Sequence, residues 1–291
     1  MRSIDHLVFP VTTLTLARAR LTGLGFTVAP DAQHPFGTGN CCVFFEDRTF
    51  LEPITIVDRA AADMAAAERV VFVKRMKRFT ERQGEGFAMV ALKSDDAEAD
   101  RVAFAAAAMN GGPVFRFSRV AKLPDGAERE VGFAIANAEF PAAGDAAFFA
   151  CQHLAKDALF QPAFLEHPNG VKGTLAVTAV AENPADFHIL LEAVMGQREL
   201  RATSFGVEAE IGGGATFLIL TPAGFHARYG VDAPNPRRGL RFAAVDLKVL
   251  DLARAAGYAG RAAKREADRI VVPPAPGLNA VVAFRSAEEN G

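Results

Sequence analysis

Two rhythms of apolar and polar residues alternate along the chain. Ile4-Asp5-His6-Leu7-Val8-Phe9 has period two, which predicts a strand with Ile4, His6 and Val8 on one face. Leu14, Ala17, Leu21 and Leu24 then recur at helical spacing, after a Thr cap at 12 or 13 and before a Gly25 stop. Further strands are predicted near 26–28, over 41–45 and over 49–57, separated by Gly37-Thr38-Gly39-Asn40 and by Glu46-Asp47-Arg48. This first unit reads β-α-β-β-β.

An Ala-rich, basic segment running to about Gln83 predicts a helical connector. Its Lys74, Arg75, Lys77, Arg78 and Arg82 are expected on a solvated face. The same order restarts with a strand over 87–92, a helix from Asp95 or Asp96 to Met109, a hairpin of strands over 114–123 and 128–139 turning at Pro124-Asp125-Gly126, and a strand over 147–154. His167-Pro168-Asn169-Gly170 reads as a structural turn before a third copy. That copy has a strand over 174–180, a helix starting at Asn183-Pro184, three short strands, and an end at Pro222. A weaker fourth copy runs from Leu240 to Phe284. A sheet with one helix on its outer face leaves its inner face bare, so units should pair. The expected organisation is α+β, with four modules in two cup-shaped halves. The first half is 1–155, made of modules 1–57 and 86–155 around a connector at 58–85; the second is 172–291, with modules 172–224 and 238–286.

Composition narrows the function. Thirty-two Lys and Arg against 34 Asp and Glu leave a net charge of −2, which gives no long-range attraction to nucleic acid or an anionic membrane. No apolar run approaches the roughly 20 residues that span a bilayer, and the N-terminus enters a strand pattern without a signal-peptide core, so a cytoplasmic location is expected. Cys41, Cys42 and Cys151 form neither a disulfide framework nor a Cys-x-x-Cys pair. With 24 Phe, two Tyr and no Trp, any pocket should be greasy.

Ile4-Asp5-His6-Leu7-Val8, His34-Pro35-Phe36-Gly37-Thr38-Gly39-Asn40-Cys41-Cys42-Val43-Phe44-Phe45, Phe50-Leu51-Glu52-Pro53 and Phe148-Phe149-Ala150-Cys151-Gln152-His153 give the chain a resemblance to the vicinal oxygen chelate superfamily, in its glyoxalase-like branch. The resemblance implies a cup-shaped sheet built from two modules. It also implies a divalent metal held by His, Glu or Gln from the first and last strands of each module. His6 and Glu52 fall at two such positions. The first strand of the second module offers only Ala88 and Met89, and its last strand offers Gln152 and His153, of which one at most can face the cup.

Read without the family, an imidazole and a carboxylate on neighbouring strands can share one cation. His6, Glu52 and His153 would make a two-His, one-carboxylate set suited to Zn, Fe, Mn or Ni. A lone His in an apolar strand is ordinarily a hydrogen-bonded core residue. Glu52 changes the balance, because a carboxylate sharing a face with Phe50 and Ile54 needs a partner. His34 and Asn40 are candidates for orienting a substrate oxygen, with turn capping as the alternative. A Cys151–His153 nucleophilic pair has no evident activating group. His153 and Glu52 are the candidate catalytic residues. The leading expectation is a metalloenzyme of lyase, isomerase or oxygenase type acting on a small oxygenated substrate. The competing one is a metal-free protein that sequesters an apolar small molecule. The second half, with no comparable His and acid pair, reads as scaffold, and a homodimer stays open.

Overall fold

In a computed structural model of the chain, described at residues 1–123, 126–154, 159–236 and 239–286, the N-terminal alternating run forms β1 (Ile4–Pro10). The first module continues with α1 (Leu14–Gly23), β2 (Ala32–Gln33), β3 (Thr38–Asn40), β4 (Val43–Phe44) and β5 (Phe50–Ile56). α2 (Arg59–Ala67) and α3 (Val71–Gln83) lead to the second module, β6 (Met89–Ser94), α4 (Ala97–Ala106), β7 (Phe115–Lys122), β8 (Glu128–Ala138) and β9 (Ala147–His153). Thr13 and Asp96 cap α1 and α4 by accepting from backbone N–H groups of the first turns.

Among the described residues the strands form two sheets, one of nine and one of eight. The first runs β2-β3-β5-β1-β6-β9-β8-β7, with β4 continuing the line of β3 against β5. β1 and β6 are antiparallel neighbours at its centre, and each is flanked by the parallel last strand of its own module, β5 or β9. Edge strands β2 and β7 touch, so the sheet curls nearly shut. The second sheet repeats the plan with β10 (Val171–Val180), α5 (His188–Met195), β11 (Arg201–Thr203), β12 (Gly206–Glu210), β13 (Thr216–Leu220), α6 (Pro222–Tyr229), β14 (Arg241–Val249), α7 (Leu252–Ala256), β15 (Lys264–Arg265), β16 (Arg269–Val272) and β17 (Val281–Ser286), ordered β11-β12-β13-β10-β14-β17-β16-β15. No described helix is long and apolar enough to cross a membrane.

The two sheets share one core on their helix-bearing faces, where Phe87 meets Phe242 at 4.8 Å, Phe148 meets Phe242 at 5.2 Å and Phe26 meets Phe284 at 6.0 Å between ring centroids. The inner face of the first sheet carries a separate core that includes Phe36, Phe50, Ile54 and Phe149.

Several local expectations are corrected. Residues 26–28 are not a strand. The strand expected over 41–45 is two pieces, β3 and β4, in one common register against β5, interrupted where Cys41 meets Pro53. Cys41 N–H donates to the Pro53 carbonyl (3.1 Å), but Pro53 has no N–H to return, so the ladder breaks there. The connector is two helices, broken at Arg69 (φ 66°), and it is not merely solvated: Phe72, Val73, Met76 and Phe79 pack on the inner core. Arg75 is buried, donating to the carbonyls of Ala138 (2.7 Å) and Phe148 (3.3 Å) and to Asn137. Pro222 ends the third unit but also opens α6, where the missing N–H costs nothing at the first helical position. Gly126 has φ 83°, as a hairpin turn requires; Pro124 and Asp125 lie outside the described residues.

Candidate active site

The largest departure from simple alternation lies at the site. Ile4 pairs with Leu92 and His6 with Ala91, so two residue steps on β1 oppose one on β6. This bulge at Asp5 shifts the phase of the strand. Ile4 therefore faces the shared core with Leu7 and Phe9, not the inner face with His6 and Val8 as the period-two reading expects. Asp5 and His6, adjacent in sequence, are turned so that their side chains meet.

A chain of buried polar groups results. Asp5 Oδ2 lies 2.6 Å from His6 Nδ1 and 2.9 Å from His153 Nε2. A carboxylate only accepts, so His6 Nδ1–H donates to it, and in the neutral ring Nε2 keeps its lone pair. That lone pair faces Glu52, whose Oε2 is 3.4 Å away. Glu52 reaches this point because β5 is the parallel neighbour of β1, with Glu52 beside Val8 and Phe50 beside His6. Phe50 stacks on the His6 ring (centroids 4.4 Å, interplanar angle 18°), and Phe149 meets it edge-on at 5.5 Å. Asn40 Nδ2 donates to Glu52 Oε1 (2.5 Å), fixing that oxygen and leaving Oε2 toward His6.

His34 stands on the far side of Glu52, its Nε2 3.9 Å from Oε1. Its Nδ1 is 2.8 Å from Thr38 Oγ1, and its ring lies flat against Phe36 at 4.9 Å. The turn that carries it needs Gly37 (φ 82°): a Cβ there would come within 2.4 Å of the Asp58 carbonyl oxygen. Burial, with the charges of Arg119 and His6, pushes the His34 imidazole down to about 3, so the ring is neutral at ordinary pH. Burial alone would raise the Asp5 carboxyl. The charge and hydrogen bond of His153, with those of His6, outweigh it and hold the group well below the usual carboxylate range.

His6, His34, Asn40 and Glu52 open on a narrow hollow walled by Phe36, Phe50, Phe72, Phe117, Phe133 and Phe149, with Arg119 and Cys151 also in its lining. Asp5, Cys151 and His153 line a second cleft of about 370 Å³ together with Arg48 and Lys93. The Cys151 thiol is pushed well up by burial and by the negative charges of Asp5 and Glu52, and His153 Nε2 is committed to Asp5, so this pair lacks an activated nucleophile.

Four of the residues singled out in the sequence, His6, Glu52, His34 and Asn40, thus meet in one hollow. His153 joins them only through Asp5. Gln152, the other candidate ligand on that strand, is directed away: its Oε1 accepts from the Ala97 N–H (3.2 Å) and its Nε2 donates to the Asp95 carbonyl (2.7 Å). Ala88 and Met89, at the start of β6, belong to the inner core and offer no imidazole or carboxylate donor. Sequence reasoning missed Asp5, which strict alternation assigns to the wrong face. It also missed Arg119, although Phe115, Phe117 and Arg119 share a strand face and the break in that apolar row was visible.

Two donor sets fit a cation. One is His6 Nε2 with Glu52 Oε2, 3.4 Å apart, a pair that either a proton on the imidazole or a cation between the two atoms would join. The other is the group Asp5, His6, Cys151 and His153, whose ligand atoms lie within 4.8 Å of one another. In the second set Asp5 already accepts from both imidazoles and the thiol holds its proton. In the first set Asp5 stands behind the His6 imidazole, where a carboxylate would support a ligating ring.

A nearly closed sheet of paired β-α-β-β-β modules, with buried imidazole and carboxylate groups converging on its inner face, is the architecture of the vicinal oxygen chelate superfamily. A family model described as a glyoxalase-like domain matches residues 4–195, and the chain belongs to that family. Among solved structures, a hypothetical protein from Staphylococcus aureus is similar with TM-score 0.71 and 11% identity, covering 99% of this chain and 100% of that one. A mutant of 4-hydroxymandelate synthase from Streptomyces coelicolor has TM-score 0.56 and 13% identity over 98% of this chain and 92% of that one. A Mn(II)-bound glyoxalase from Novosphingobium aromaticivorans has TM-score 0.55 and 13% identity over 98% and 83%. At these identities the likeness is one of fold. No curated protein sequence matches the chain.

Proposed function

We propose that the protein is a metal-dependent enzyme that binds a small oxygenated molecule by two neighbouring oxygens, catalysing a lyase, isomerase or oxygenase type of reaction. The observation that carries this reading is the approach of His6 Nε2 to Glu52 Oε2, 3.4 Å apart and buried, with Asp5 holding the imidazole from behind. A divalent cation, Zn, Fe, Mn or Ni, would supply Lewis acidity toward the substrate oxygens when held there.

The chain's own residues do the rest. Asp5 fixes the His6 tautomer, and Asn40 fixes the Glu52 rotamer, so neither ligand pays ordering cost on binding. Glu52 would take a proton from a carbon beside the substrate's oxygens. Neutral His34, beside the other Glu52 oxygen, orients a substrate oxygen. The phenylalanine wall excludes water and strengthens each polar contact inside. His153 acts through Asp5, as a positioning group.

A metal-free binder of an apolar molecule is the second reading, favoured by Ala88 and Met89 where the resemblance would place another ligand and by the aromatic lining. Metal analysis of untagged protein purified without chelator separates the two. The enzyme reading expects about one ion per chain, lost in His6→Ala and in Glu52→Ala while both still fold. No metal in the wild type, with folded variants, would establish the binder.

A further inference from the structure

Among the described residues, Arg119 is the one Lys or Arg that lines the His6–Glu52 hollow. It follows Phe115 and Phe117 on the same face of β7, and Phe117 packs edge-on against both His34 (5.5 Å) and Phe36 (4.9 Å). The guanidinium lies 5.8 Å from the centre of the Phe133 ring. Its Nε is buried and has no hydrogen-bond partner, and its Nη1 reaches only the carbonyl of the next residue, Val120, at 3.4 Å. Among the described residues no carboxylate lies within ion-pair distance of it. A buried guanidinium donor left unpaired costs free energy that a stable fold ordinarily recovers with a partner.

We infer that the missing partner is the substrate, and that Arg119 is the specificity-determining anchor for its carboxylate. The guanidinium presents a planar fork that matches a carboxylate bidentately, and the adjoining wall of Phe36, Phe72, Phe117, Phe133 and Phe149 suits an aromatic or branched apolar body. The substrate class is therefore an apolar carboxylic acid, its acid group at Arg119 and its remaining oxygens directed to His6 and Glu52. This deepens the enzyme reading above, but the binding step stands without it.

The test is calorimetric titration of the full chain with phenylacetate and with its uncharged isostere phenylacetamide, in wild type, Arg119→Gln and Arg119→Lys, each as purified and after EDTA treatment. The inference expects the wild type to prefer the acid by at least about tenfold with or without EDTA. Arg119→Gln should lose that preference while keeping its affinity for the amide, which also reports an intact pocket, and Arg119→Lys should retain only part of it. Equal affinities for acid and amide in the wild type, no binding of either, or a preference that survives Arg119→Gln would overturn it. A preference removed by EDTA but untouched by Arg119→Gln would assign the acid group to the metal instead. A protein without metal that still shows the Arg119-dependent preference would sink the enzyme reading and leave this one standing.

Discussion

Asp5 holds the site together at the level of single residues. Its one oxygen, Oδ2, receives both imidazoles, and that is why His6 can aim the other nitrogen at Glu52. Asp5→Asn keeps the shape but replaces an acceptor-only group with one that can donate, so the His6 tautomer is no longer dictated. Metal affinity, measured by competition with a chromogenic chelator, should fall by about 10- to 100-fold with little change in melting temperature. An unchanged affinity would show that Asp5 does not orient the ligand. His6 and Glu52 were legible in the sequence, because a carboxylate between Phe50 and Ile54 is conspicuous on an apolar face. Asp5 was not: whether a strand bulges depends on its neighbour across the sheet, which no local pattern contains.

Elements position these residues through breaks in regularity as much as through regularity. The bulge in β1, the interruption of β3 and β4 at Pro53, and the Gly37 turn all lie within the first module and all border the hollow. The repeated order of strands and helices was readable because each unit restarts with the same switch from period two to helical spacing. Its finer boundaries were not, since the division between β3 and β4 arises from a missing donor on another strand. The burial of α3 on the inner core was also hidden, because its charges advertise a solvated face while Arg75 finds its partners on distant carbonyls. Gly37→Ala should lower stability by more than about 2 kcal/mol, combining a left-handed backbone that alanine resists with a backbone clash. Urea midpoints check this; a midpoint unchanged from wild type would mean that the turn relaxes freely.

Across the whole molecule, the segment between the sheets works as a clamp. His167 accepts from the Thr27 N–H at Nδ1 (3.1 Å) and donates from Nε2 to the Phe44 carbonyl (2.9 Å), while Arg254 donates to the carbonyls of His167 and Pro168. Burial pushes the His167 imidazole down to about 4. The unfolded chain therefore takes up this proton first as pH falls. The neutral clamp contributes its full stability above about 6.5 and loses it between about 6.5 and 4, in all about 3 kcal/mol. Thermal melts of wild type and His167→Gln should differ most near neutral pH and converge toward pH 4. Parallel curves would remove His167 from the pH response. The turn itself was legible from His167-Pro168-Asn169-Gly170, but the partners of the His167 ring, Thr27 and Phe44, lie more than 100 residues away and could not be read locally.

The central claim is that His6 and Glu52 hold one divalent ion between them. Anomalous diffraction from crystals soaked in Mn(II) locates such an ion directly. The account predicts a peak about 2.0–2.3 Å from both His6 Nε2 and Glu52 Oε2, with Asp5 behind the imidazole and not bound to the ion. A peak among Asp5, Cys151 and His153, or none inside the sheet at full soaking concentration, would contradict it.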